Sequence, residues 1–127
     1  GGYVIADANG PRQATILASG AEVHLALAAR YALAADGIAV AVVSLPCWEL
    51  FAQQDETYRA HVLGGGVRVG VEAASGFGWE RWLGCDGVFI GIAGFGAPDP
   101  TAAAIADAVR KRHAEPADQE RTRGNGR

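Results

Sequence analysis

Four short segments follow runs that are typical of β-strands, and their serine, glycine, acidic and aromatic residues are the best placed to do chemistry: residues 19–20, 44–51, 72–78 and 93–100. In open α/β sheets, ligands bind outside the carboxyl ends of the strands. We therefore expect any ligand, or any contact with a neighbouring domain, at these segments. The candidate contact residues are Ser19, Gly20, Trp48, Glu72, Gly76, Gly78 and Trp79.

The segment from Ser19 to Glu22 has two interpretations. It is typical of a capping box, in which the Ser19 hydroxyl accepts hydrogen bonds from first-turn amides and Glu22 reaches back to the Ser19 amide. A helix N-terminus can also bind a small anion through its free amides, here at Ser19 and Gly20. Because a capping box uses much of that donor capacity, the structural interpretation is favoured.

Glu72 ends an apolar run, where an acidic residue is unexpected. Such an acid can be catalytic, or it can accept hydrogen bonds from backbone amides, here those of residues 75–78, and we favour the second role. The Cys47 thiol and the Glu49 carboxylate stand beside aromatic residues, but no base or cation lies nearby in sequence to activate the thiol. The aromatic side chains of this segment, Trp48 among them, are predicted to pack a loop onto a neighbouring surface.

No sequence motif for catalysis or metal binding is complete. Residues 75–82 begin like a dinucleotide-binding fingerprint, but Arg81 occupies the position of its third glycine. His24, His61 and His113 are far apart and have no metal-ligand spacing. The residues alone therefore predict an α/β domain without an active site of its own.

The composition argues against several classes of protein. The chain has 127 residues, with 11 Lys and Arg against 14 Asp and Glu, which gives a net charge of −3. This length fits one domain, and the charge argues against a nucleic-acid partner. No apolar run reaches the roughly 18 residues that span a bilayer, so we expect no membrane partner and a cytoplasmic location.

Short strand-like runs alternate with longer helical ones, which is typical of a mostly parallel sheet covered on both faces. The first two strands are joined by only a few residues, so the first must run antiparallel to the second. The predicted strands are residues 3–6, 14–18, 38–44, 67–72 and 88–92. The first predicted helix begins at Ser19 and stops at Asp36–Gly37, and the other two cover residues 52–63 and 101–113.

The spacing of apolar residues predicts which helix faces are buried. These residues are Val23, Ala26, Leu27, Tyr31 and Ala34 in the first helix, Tyr58, Val62 and Leu63 in the second, and Ile105 and Val109 in the last. The domain is predicted to cover residues 1–113. The polar residues 114–127 are expected to form a disordered tail.

Several segments, collinear and similarly spaced, resemble the C-terminal domain of transketolases. Residues 16–26 are similar to the family's LATGSEVxLA, residues 37–51 to its GIxVRVVSMPSxELF, and residues 54–63 to its QDxxYRxxVL. The resemblance extends over about residues 2 to 100, and further matches are Val71–Ala73, Phe77–Trp79, Ile90–Gly91 and Phe95–Gly96. The sequence departs from the family pattern at Gly64–Gly65, where the family has LP, and again after Gly96.

The resemblance implies a three-layer α/β/α fold with a five-stranded, mostly parallel sheet whose first strand is antiparallel. It implies a parent enzyme that moves a two-carbon ketol unit between ketose and aldose phosphates, with thiamine diphosphate and a divalent metal, Mg or Ca, as cofactors. In such enzymes the cofactors and catalytic residues belong to the preceding domains of a homodimer, and no residue of this chain matches them. We therefore expect a structural, dimer-supporting domain of a longer polypeptide, without catalytic, cofactor-binding or metal-binding residues.

Two other interpretations stay open. A free-standing α/β regulatory module would bind a small anion at Ser19–Gly20 and at residues 76–78. The β subunits of 2-oxo-acid dehydrogenases share the fold, although the run from Ser44 to Phe51 favours transketolases. Neither the preferred sugar phosphate nor the pathway, carbon fixation or the pentose phosphate pathway, follows from the residues.

Overall fold

A computed structural model describes residues 1–72, 79–84, 87–91 and 101–114 of the chain. The strands in this part are β1 (Tyr3–Ala6), β2 (Ala14–Ala18), β3 (Val40–Ser44), β4 (Val67–Glu72) and β5 (Val88–Gly91). The helices are α1 (Val23–Ala35), α2 (Trp48–Gln53), α3 (Glu56–Leu63), α4 (Glu80–Leu83) and α5 (Ala102–Ala114), and a 3₁₀ turn (Gly20–Glu22) precedes α1.

The strands form one mixed sheet in the order β1-β3-β2-β4-β5. Strand β2 pairs in parallel with β3 and β4, and β4 pairs in parallel with β5. Strand β1 pairs with β3 and is antiparallel to it, with Tyr3 opposite Ser44. The predicted direction of β1 is confirmed, although its hydrogen-bonding partner is β3 rather than its sequence neighbour β2.

Helices cover both faces of the sheet, which confirms the three-layer fold. Helices α1 and α5 pack on one face, where Leu33, Ile105 and Val109 meet strand residues such as Ile16 and Val42. Helices α2, α3 and α4 lie on the other face over a second cluster. That second cluster consists of Leu17, Val43, Leu45, Phe51, Val62, Leu63, Trp79, Trp82 and Leu83.

The buried face of α1 differs from the predicted one. Its core residues are Ala26, Ala29 and Leu33, whereas Leu27 is 36% and Tyr31 is 81% exposed. Every residue of α1 except His24 and Arg30 is apolar, so the hydrophobic period does not single out one face.

Packing against the sheet therefore decides which face of α1 is buried. The alanines on that face let the helix lie close to the strands. Ala34, which the spacing also placed inward, is exposed, and Val23 is half-buried. The helix stops at Asp36–Gly37 as its sequence indicates, because Gly37 adopts a positive φ of 78°.

Two helices replace the single helix predicted over residues 52–63. Helix α2 begins earlier, at Trp48, and the chain is extended at Gln54 and Asp55, with ψ values of 159° and 140°. This break is held by hydrogen bonds from elsewhere in the chain. The Arg59 Nε donates to the Gln54 carbonyl oxygen at 3.1 Å, and the Gln54 Oε1 accepts from the Gly2 amide at 3.4 Å.

The inner sides of α3 and α5 are largely as predicted. Val62 and Leu63 are buried, as are Ile105 and Val109. Tyr58 is instead exposed at the surface, where its hydroxyl donates to the Gly2 carbonyl oxygen at 2.8 Å. Ile92 and the predicted tail beyond residue 114 lie outside the described residues. No helix in the described ranges has the length and apolar content that crossing a membrane would need.

Candidate functional site

The carboxyl ends of β2 and β4 lie side by side at the point where the connections of the sheet diverge. Strand β2 leads to β3 on one side, and β4 leads to β5 on the other. Such a switch point is the usual place for a ligand crevice in an open α/β sheet. Ser19 follows β2 directly and Glu72 is the last residue of β4, so both predicted contact residues lie at this point.

The Glu72 carboxylate accepts a hydrogen bond on each of its oxygens. The Ser19 Oγ donates to Glu72 Oε1 at 3.1 Å, and the Trp79 Nε1 donates to Glu72 Oε2 at 3.4 Å. Trp79 is only 1% exposed, and a buried indole N–H needs an acceptor. Glu72 therefore ties the end of β2 to the tryptophan that precedes α4.

The predicted capping box does not form. Ser19 is extended, with φ −143° and ψ 156°, and neither the 3₁₀ turn nor α1 has a side-chain cap. The Ser19 hydroxyl donates its proton to Glu72, and no amide of the 3₁₀ turn donates to its oxygen. Gly20, next to it, has a positive φ of 62°, which lets the chain turn directly from β2 into the 3₁₀ turn.

Trp48 extends this contact from α2. Its ring makes an edge contact with Trp79, with the ring centroids 5.0 Å apart and the planes at 84°. We term Ser19, Glu72, Trp79 and Trp48 the strand-end cluster. Four of the seven predicted contact residues thus come together and Gly20 adjoins them, whereas Gly76 and Gly78 lie outside the described residues. The predicted amide partners of Glu72, residues 75–78, lie outside them too.

An aromatic layer beneath the strand-end cluster was not predicted. Trp82 packs against Trp48 and Phe51, with centroid distances of 6.1 and 5.1 Å, and Phe89 lies 5.8 Å from Trp79. Two tryptophans three positions apart lie on one face of a helical turn, and this spacing was the signal that could have found Trp82. Its Nε1 has no hydrogen-bond partner in the described part of the chain.

The indole of Trp79 packs closely against β4 at Gly70. A Cβ on Gly70 would lie 2.9 Å from the Trp79 Cε3 and 3.1 Å from Leu83, so only a residue without a side chain lets the indole lie on the strand. Arg68, also on β4, donates to the carbonyl oxygen of Trp82 at 2.9 Å and to that of Gly64. Burial lowers the pKa of this guanidinium below its ordinary value.

The hydrogen bonds of the strand-end cluster link the ends of β2 and β4 to Trp79. Its one carboxylate accepts from the Ser19 hydroxyl and from the Trp79 N–H. Within the described ranges, no three His, Cys, Asp or Glu side chains are grouped so that they could hold a metal ion. His24 and His61 lie on α1 and α3, on opposite faces of the sheet.

Replacing Glu72 with alanine is expected to lower the free energy of unfolding by about 1–3 kcal/mol, because the buried Trp79 N–H and the Ser19 hydroxyl lose their acceptor. Tryptophan emission should also change, since the indole N–H of Trp79 loses its hydrogen bond. Urea unfolding followed by fluorescence measures both effects. Glu49→Ala, on the exposed side of α2, is the control and should change stability by less than about 0.5 kcal/mol. Equal effects of the two substitutions would contradict the assigned hydrogen bonds.

The fold and the cluster define a class: a three-layer α/β/α domain in which hydrogen bonds to Glu72 link the ends of β2 and β4. The model of the "Transketolase-like TK C-terminal domain" family matches residues 1–108. The chain therefore belongs to the transketolase family, as a C-terminal domain.

Curated and solved relatives agree with this assignment. A transketolase of Sinorhizobium medicae is 54% identical over 101 residues, which cover 79% of this chain and 14% of the relative. The structure of a Leishmania mexicana transketolase is 37% identical, with a TM-score of 0.79 over 91% of this chain and 18% of its own. A Pichia stipitis transketolase, solved with sedoheptulose-7-phosphate, is 32% identical, with a TM-score of 0.75; the match covers 90% of this chain and 18% of the relative. The chain thus spans less than a fifth of the length of these relatives.

Proposed function

We propose that this chain is the non-catalytic, structural and dimer-supporting C-terminal domain of a transketolase. The parent enzyme would transfer a two-carbon ketol unit between ketose and aldose phosphates, as a cytoplasmic homodimer. The observation that carries the proposal is the family match over residues 1–108, together with a strand-end cluster whose carboxylate accepts hydrogen bonds from Ser19 and Trp79.

The substrate class and the cofactors follow from the family rather than from this chain. A Pichia stipitis relative was solved with sedoheptulose-7-phosphate, which supports sugar phosphates as substrates of the parent enzyme. Thiamine diphosphate and a divalent metal, Mg or Ca, would be held by the domains that precede this one in the polypeptide. The chain itself would contribute packing surface to those domains.

The anion-binding module is disfavoured by the geometry at Ser19. The Glu72 Oε1 lies 3.1 Å from the Ser19 Oγ, so a carboxylate occupies the position next to the proposed anion site. Like charges at such a distance repel. A small anion bound at Ser19 would stand beside this carboxylate, which leaves the structural role as the better supported one.

Removing residues 1–127 from the parent enzyme tests the proposal. We expect the truncated enzyme to dissociate at protein concentrations at which the full enzyme is dimeric, because interface area is lost. The fraction that remains dimeric should still bind thiamine diphosphate and transfer the ketol unit. Analytical ultracentrifugation and a coupled activity assay on the same samples measure both properties. A truncated enzyme that stays fully dimeric but has no activity would contradict the proposal.

A further inference from the structure

A groove runs between α5 and β5, on the face of the sheet that α1 also covers. Strand β5 is the last strand of the sheet, next to β4, and α5 packs mainly on β4. The outer flank of the helix and the edge strand therefore enclose a cavity of about 570 Å³. We term it the edge groove. Its volume lies within the range of small-molecule binding sites.

The walls of the edge groove are apolar. Val88 and Ile90 line it from β5, and they alternate along the strand with Phe89, which packs into the cluster on the other face of the sheet. Ala104 and Ala108, one helical turn apart, line it from α5. These four wall side chains carry no polar atoms, so they favour a flat apolar body over a polyhydroxylated one, whose hydroxyls would lose water without gaining partners.

One end of the edge groove is positively charged. Lys111, the only lysine of the chain, lines it one turn beyond Ala108, together with Arg112 and Asp107. The Asp107 carboxylate accepts from the Arg110 Nη1 at 2.8 Å, so its charge is offset, whereas the Lys111 ammonium has no ion-pair partner in the described part of the chain. The partial negative charge at the end of α5, about half an elementary charge, is smaller than that of the two cations.

We propose that the edge groove binds a small amphipathic anion, an apolar ring or short chain that carries one carboxylate or phosphate group. The apolar body lies between Val88 and Ile90 on one side and the two alanines on the other, and the anionic group lies beside Lys111. The site is separate from the strand-end cluster, whose tryptophans pack on the opposite face of the sheet. It uses only residues of this chain, so it stands or falls independently of the proposed function.

Fluorescence titration of the chain of residues 1–127 with two probes tests the site. The first, 8-anilinonaphthalene-1-sulfonate, is an amphipathic anion, and the second, N-phenyl-1-naphthylamine, has the same rings without the charge. We expect saturable binding of the sulfonate with a Kd on the order of tens of micromolar. Ala104→Phe places a ring in the groove and should weaken both probes about ten-fold. Ala103→Phe, at an exposed position of the same helix that does not line the groove, should stay within about two-fold.

A second substitution separates the charge from the apolar walls. Lys111→Gln should weaken the sulfonate probe about three- to five-fold at low salt and leave the neutral probe unchanged. Arg81→Gln removes the same charge from α4, on the opposite face, and should leave the affinity for both probes unchanged. High salt should reduce the effect of Lys111→Gln, because it screens exposed charges. Near-UV circular dichroism checks that every variant keeps native packing, since loosely packed chains also bind the sulfonate.

Three results would overturn the site or its ligand class. Absence of saturable binding, or equal binding by Ala104→Phe and the unsubstituted chain, overturns the site itself. An equal loss of both probes in Lys111→Gln overturns the role of the ammonium and with it the preference for an anion. Displacement of the sulfonate by sedoheptulose-7-phosphate overturns the requirement for an apolar body and points to a sugar phosphate instead.

Discussion

Replacing Phe51 with alanine is expected to lower the free energy of unfolding of the domain by about 3–5 kcal/mol, the usual cost of removing a buried aromatic ring. Phe51 is fully buried, its ring lies 5.1 Å from that of Trp82, and it packs against Gly2. The cavity would therefore open between α2, α4 and the start of the chain. Urea denaturation followed by circular dichroism measures the loss.

The adjacent residue supplies the control for this substitution. Leu50 is also on α2 but is 55% exposed, so Leu50→Ala in the isolated domain should cost less than about 1 kcal/mol. A cost for Leu50→Ala that equals or exceeds that of Phe51→Ala would contradict the orientation of α2 on the sheet.

Replacing Leu33 with alanine is expected to cost about 2–5 kcal/mol. Leu33 is the largest fully buried side chain of α1, and it fills the core between this helix, the sheet and α5. The small alanines on the same face cannot move in to fill the space that it leaves. Thermal and urea unfolding of the variant measure the loss.

Leu27→Ala removes the same atoms from the same helix and is the matched control. Leu27 is 36% exposed, so its replacement should cost less than about 1.5 kcal/mol. The apolar spacing of the sequence predicts the opposite order, with Leu27 inward. A larger loss for Leu27→Ala than for Leu33→Ala would restore that prediction and contradict the observed face.

The strands could be predicted from the sequence because their apolar runs are short and bounded by clear turns. Strand β3 lies within residues 38–44, and β4 ends at Glu72 as its pattern indicates. The face of α1 could not be predicted, because apolar residues on every side leave no period to detect. The break at Gln54 was missed for another reason, since Gly2 and Arg59, which hold it, are not local signals for a turn.

The strand-end cluster shows the same division between local and distant contacts. The position of Ser19 and Glu72 at neighbouring strand ends followed from the predicted parallel sheet. The hydrogen bond between them did not, because the local capping motif spans four residues, from Ser19 to Glu22, while Glu72 lies 53 residues from Ser19. A local pattern gives a candidate partner, and the fold can supply a different one.

Assaying residues 1–127 alone tests most directly whether this domain supports the enzyme without carrying its catalysis. The isolated chain and the full-length parent are compared for ketol transfer and, by calorimetry, for thiamine diphosphate binding in the presence of Mg²⁺. We predict no turnover above the blank and no saturable binding by the isolated chain, with both present in the parent. Measurable turnover or micromolar affinity in the isolated chain would contradict a purely structural role.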